Sequence, residues 1–377
     1  MLHSMRLTLV LGALSSLCAS QRLANGLGRS HVFSLGQIWL ILAGAAVVYA
    51  LIFSVSLVVI DRLSMDVARV LTVLVIVALV GLFCVVYPHF GLPTNSSGYG
   101  DRDDALTLMG RALVQGTNPY GVRTYLGDQV SPLLGSVLLT LPATLLTGSA
   151  AWVNPLILVV LGYVAIRILE PKVALMLALI FATNVGFLED FLLGGDLYLV
   201  PLIFAVVVLA LISQANFSRW FVVLLVVLGG LTAAARANSL VLLVALVVFV
   251  VVKRPSRSAE IGFVGLIGVG LGGLSLKLAG GLDSWPFTGE IDPLLRQASG
   301  LIAAVLVLAL GVYWFRSRAS DAVLLFARTA PWLAVSLVVF LAHPDALFRS
   351  WTYLAVGLPV AITAFQALFA ERMRLTA

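Results

Sequence analysis

Long apolar runs, each near the ~20 residues a helix needs to cross a bilayer, recur from residue 38 to residue 370. A backbone surrounded by hydrocarbon has no water to bond with. Helices, which satisfy their own N–H and C=O groups, are the spanning form such runs can adopt here. Hydrophobic residues occupy 61% of the 377 positions and charged ones only 11%, with mean hydropathy +1.10. A soluble domain carries about 25% charged residues. The expected fold is all-α: a polytopic transmembrane helical protein with about 11–12 crossings, in the plasma (inner) membrane.

Crossings are predicted at 38–60, 70–88, 152–169, 172–188, 197–213, 220–235, 238–252, 260–279, 298–315, 324–342 and 351–370. Residues 1–37 form an N-terminal segment. Its apolar stretch Leu7–Ala19, about 13 residues, is short for a span and fits a signal peptide, a first crossing or an interfacial helix. Residues 38–377 read as one transmembrane domain. Cys18 and Cys84, far apart and in apolar surroundings, are expected to be packing residues without a disulfide framework.

Basic residues mark the cytoplasmic side. Arg62/Arg69, Arg167/Lys172, Lys253/Arg254/Arg257, Arg316/Arg318 and Arg372/Arg374 sit in short loops. The net charge of +6 thus reads as topology signals, and a nucleic-acid partner is not expected. This orientation assigns the loops 89–131, 188–196, 281–297 and 343–350 to the outer face. It holds only if 132–169 crosses once, so 132–148, with Pro132 and Pro142, is expected to be a re-entrant or oblique element, tolerated where it is buried in protein.

The outer loop 89–131 contains the most polar stretch of the chain, YGDRDDALTLMGRALVQGTNPYGVRTYLGDQVSP at 99–132. Within it DDALTLMGRALV is predicted to form an amphipathic helix with Leu106, Met109, Ala112 and Leu113 on its apolar side. Asp103 or Asp104 then lies near its N-cap, where carboxylates are favoured by the unpaired amides. Beside this capping role stands a functional one, a general base toward an acceptor hydroxyl or a carboxylate holding a divalent cation. GTNPY at 116–120 is a turn by its chemistry: Gly116 permits unusual φ, Asn118 is pushed to extended geometry, and Pro119 fixes the bend. Tyr120 either stacks on a sugar ring or anchors the loop at the interface.

The topology brings further polar residues to the same side. Glu189, Asp190 and Asp196 are read as an outer loop beside Gly194 and Gly195. Carboxylates so close to hydrocarbon serve a ligand, partner or pathway, or simply sit in interfacial water. Arg236, inside an otherwise apolar hairpin, is either a clamp for a lipid-linked phosphate or a snorkelling turn residue. His343 is a candidate acid–base or phosphate-contacting group. A divalent cation, Mg or Mn, would suit the oxygens of Asp104, Glu189 and Asp196, whereas no His/Cys spacing suggests zinc. Walker A, GxGxxG, GxSxG and HExxH signatures are absent, and the cytoplasmic loops are too short to house soluble nucleotide chemistry.

RDDAL at 102–106, GTNPY at 116–120 and VSPLLGSVLLTLP at 130–142 together resemble the GT-C class of integral-membrane glycosyltransferases, the mannosyltransferases and aminoarabinose-type transferases. LEDFLLGGDL at 188–197, ARAN at 235–238 and HPDAL at 343–347 look similar to later elements of that class. The resemblance implies Asp103 as first and Asp104 as second catalytic carboxylate. Asp101, Asn118, Tyr120, Glu189, Asp190, Asp196, Arg236 and His343 would line the substrate site. It implies transfer of a sugar from a polyprenyl-phosphate donor to a lipid or cell-envelope glycan acceptor, among membrane lipids, at the outer face. The pair here is Asp-Asp where the class has Asp or Asp-Glu, which leaves sugar and acceptor open. The alternative is a transporter or flippase for a lipid-linked or anionic substrate.

Overall fold

The computed structural model describes residues 44, 47, 51, 59–60, 62–90, 102–127, 129–169, 171–183, 185–196, 200, 203, 207, 210, 217–235 and 258–280. Of this part 82% is helical and none lies in a strand. Eight helices have both bounds described: α1 Met65–Phe90, α2 Arg102–Val114, α3 Leu134–Thr147, α4 Val153–Ile168, α5 Pro171–Thr183, α6 Val185–Leu192, α7 Arg219–Ala233 and α8 Ser258–Leu278. Among the described residues three stretches are long and apolar enough to cross a membrane: Met65–His89, Ala150–Arg167 and Ala259–Leu278. The chain divides into two compact units, one of Met1–Ala78, Leu169–Glu189 and Leu308–Ala377, the other of Leu79–Ile168 and Asp190–Val307.

Helix α1 shows the membrane pattern residue by residue. Ala68, Thr72, Ile76, Leu79, Phe83 and Tyr87 are buried, a 3.6-residue stripe facing protein. Val67, Val70, Val73, Leu74, Val77, Leu82 and Val85 are as apolar but exposed. An outward face this hydrophobic suits lipid, not water. The helix begins five residues before the predicted 70, because Asp66 is tolerated in its first turn and pairs with Arg69 at 3.1 Å. Cys84 lies on the exposed side, so the expectation that it packs inside is corrected.

In the first unit Ile60, Ala68, Leu175 and Met176 form a small core, and Phe181 and Phe187 meet edge to face at 4.8 Å. The predicted continuous crossing 172–188 is instead two helices, α5 and α6. Thr183 folds its hydroxyl back onto Leu179 O, closing the last turn of α5. Because α6 runs to Leu192, Glu189 and Asp190 are helical rather than in the loop expected at 188–196.

In the second unit, α3 is the organising element. At 14 residues it spans about 21 Å, short of the ~30 Å hydrocarbon core. Its opening amides are satisfied from outside: Leu133 and Gly135 donate to Ala235 O and Ala234 O at the end of α7, and Leu134 to Ser275 Oγ of α8. The orphan donors of one helix thus meet the orphan acceptors of another, dipoles aligned. That backbone approach needs Gly135, since a Cβ there would overlap the Leu231 and Ala234 backbone. Gly229 and Gly230 do the same between α7 and α8, where any Cβ would press on Val264 and Ile267. Gly148, at φ +82, closes α3 in the left-handed region.

Candidate functional site

Helix α2 carries the first candidate carboxylates. Its apolar side is as predicted: Leu106, Met109 and Ala112 are buried, and Leu113 packs against the cluster that Leu106 and Met109 form with Ala105, Val130, Val137 and Ala150. Asp103 lies one turn before Leu106 and so continues the inward stripe. It is 2% exposed. Asp104, one residue on, points elsewhere: its Oδ2 accepts from Tyr125 N at 2.8 Å. That bond ties α2 to the hairpin closed by the Arg123–Gln129 bridge.

Burial obliges Asp103 to find partners. Tyr87, at the end of α1, donates its hydroxyl to Asp103 Oδ2 at 2.8 Å, and the Tyr87 hydroxyl oxygen lies 2.6 Å from Ser149 Oγ. Tyr87 has one proton to give, so Ser149 donates in turn, forming a chain Ser149 to Tyr87 to Asp103. Ser149 Oγ itself accepts from Ala151 N. Tyr87 cannot swing away. Phe83 stacks on it at 5.0 Å, and Trp152 stands edge-on to both rings at 5.5 and 5.8 Å. Phe191 leans on Phe83 at 5.2 Å. Burial pushes the Asp103 carboxyl up to about 7, partly offset by the Tyr87 hydroxyl and the Asp104 backbone amide.

The turn at 190–196 closes over this pair. Gly194 has φ +82, and a Cβ on it would lie 2.6 Å from Ala151 Cβ, 2.8 Å from the Tyr87 ring and 3.2 Å from Asp103 Cβ. Only glycine fits both the torsion and the space. Gly195 N donates to Asp190 O at 2.6 Å, and Asn154 Nδ2 donates to Gly195 O at 2.9 Å. Asp196 Oδ2 accepts from Ser136 Oγ at 3.1 Å, and Ser136 also reaches Ala235 O. Asp190 and Asp196 are 3% and 5% exposed. What lies against Asp103 is thus the backbone of this turn at Gly194.

The remaining candidates are dispersed. Asn118 accepts from Tyr120 N and donates to Leu278 O at the end of α8, so both ends of its amide hold the GTNPY turn. Tyr120 donates to Pro132 O at 3.1 Å, and burial pushes its phenol up to about 12 against a bond with Ser275. Both are therefore structural ties for their segment. Glu189 is half-buried on α6. Asp101, Arg236 and His343 lie outside the described residues. Among the described residues no three His, Cys, Asp or Glu side chains gather as a cation-holding group.

Sequence reading missed Tyr87, Ser149, Asn154 and Ser136. Each left a trace, a polar side chain embedded in or abutting an apolar run (VVYP, TGS, WVNP, LLGS). Such residues need a partner when buried, though the sequence does not say which. Comparison with protein-family models, with curated proteins and with solved structures gives no match.

Proposed function

We propose that the chain is a GT-C-like polytopic membrane glycosyltransferase. It would move a sugar from a polyprenyl-phosphate donor to a lipid or cell-envelope glycan hydroxyl at the outer face of the plasma membrane. One observation carries the reading: Asp103 is an enclosed carboxylate, oriented by Tyr87, whose proton affinity is raised to near neutral pH, so that its ionised form is available there and accepts a proton more readily than an ordinary carboxylate. That is the property a general base toward a hydroxyl needs. Asp103 takes the acceptor proton as the acceptor oxygen bonds to the anomeric carbon. The lipid phosphate leaves with the bonding electrons, and the configuration inverts. Arg236 is the side chain suited to neutralise the departing phosphate.

The burial of Asp190 and Asp196 as well as Asp103 favours a second reading, a transporter or flippase that uses enclosed carboxylates as proton or substrate sites. Mass-spectrometric profiles of envelope glycolipids from cells with wild-type protein, Asp103→Asn or a deletion separate the two. Transfer predicts that Asp103→Asn reproduces the deletion and that a polyprenyl-phosphate sugar accumulates. A folded Asp103→Asn protein that restores a normal profile sinks the base assignment. Unchanged profiles in both strains favour transport.

A further inference from the structure

Helices α4 and α7 carry a second surface, remote from Asp103. Both are anchored at the glycine turn. Asn154, in the first turn of α4, donates to Gly195 O, while Ala235, just past α7, accepts from the Ser136 hydroxyl that also holds Asp196. Farther along, the two helices meet through Tyr163 and Phe221, whose rings stand edge to face at 6.1 Å. The pair therefore runs antiparallel away from the turn, and its far end lies roughly 20 Å from it at 1.5 Å per residue.

At that end Arg167, in the last turn of α4, and Arg219, in the first turn of α7, are both exposed. Neither helix contains an acidic residue. Trp220 is 84% exposed and Tyr163 53%, and Phe217 rests on Phe221 at 5.0 Å. With no carboxylate on either helix and a single one, Glu170, in the segment just past α4, the two cations leave an excess of positive charge that calls for an anion. Amphipathic rings beside them call for a boundary that is polar on one side and hydrocarbon on the other. A free phosphate would satisfy the first demand alone.

We propose that this end of the helix pair is an anionic-lipid binding surface. Arg167 and Arg219 would pair with headgroup phosphates, and Trp220 and Tyr163 would sit at the edge of the hydrocarbon. The guanidinium fork matches phosphate geometry, and an anionic leaflet enriches where basic side chains touch it.

The test uses the full chain in phosphatidylcholine vesicles with or without phosphatidylglycerol, one or the other lipid brominated high on its acyl chain. Subtracting the emission of Trp220→Phe isolates Trp220. Its emission is expected to be quenched by both labels, roughly fivefold more per label by phosphatidylglycerol. R167Q/R219Q removes that preference while the other tryptophans keep their emission. In wild type, high salt also reduces it, a reading that needs no variant. Equal quenching by the two lipids overturns the proposal, as does a preference indifferent to salt. Absence of quenching also overturns it, since the surface would then be covered by a second copy or face water.

Discussion

Asp103 and Asp104 are adjacent in sequence and opposite in circumstance. Asp103 is enclosed among Tyr87, Ser149 and the Gly194 turn. Asp104 faces the 123–129 hairpin and holds a backbone amide. A rotation of 100° about the α2 axis separates them. The same carboxyl group is thereby a proton-holding centre at one position and a loop tether at the next. Chemistry in this region is assigned by helix face, not by residue type.

The strongest way to break that contrast is to open the enclosure. Gly194→Ala should cost roughly 3 kcal/mol, combining an unfavourable torsion with overlap onto Ala151 and Tyr87. Gly127, with the same φ of +82 but open space around it, should cost only about 1 kcal/mol as Ala. Thermal unfolding in detergent compares the two. Equal losses would mean that the turn does not press on Asp103.

A pH series sharpens the contrast next. The Asp103 carboxyl lies at about 7 folded against an ordinary 3.8, so between those values the folded chain binds the extra proton. Its contribution to stability is full below about 4 and is lost as pH rises through 7. Asp103→Asn, which cannot ionise, should therefore gain on wild type as pH rises from 5 to 8, by about 2.5 kcal/mol. Melting curves across that window read the gap directly. A gap that stays constant would show that Asp103 is ionised throughout.

The smallest effect belongs to the tether. Asp104→Asn keeps an acceptor oxygen for Tyr125 N and should cost about 0.5–1 kcal/mol, with no change in the pH dependence assigned to Asp103. A shift in that pH dependence equal to the one caused by Asp103→Asn would erase the distinction between the two carboxylates.

Much of this was legible beforehand. The apolar side of α2 and the GTNPY turn follow from periodicity and turn chemistry, and most of the other described helices from the length of their apolar runs. Even the inward position of Asp103 follows once the stripe of Leu106 and Met109 is extended back by one turn. Its partners do not follow, because Tyr87 and Ser149 come from segments whose own patterns say only that a polar group is present. The break between α5 and α6 was invisible for a similar reason: hydropathy reads 172–188 as unbroken.

Amino-acid order was sufficient for the helical, membrane-compatible character of the chain, since that depends on local composition and on backbone bonds closed within each helix. Which carboxylate is enclosed, and how tightly it holds its proton, was settled by contact between distant segments. The Gly194 turn excludes water from Asp103, and Tyr87 supplies its hydrogen bond. Desolvation is a property of the packed surroundings, and no residue carries it alone.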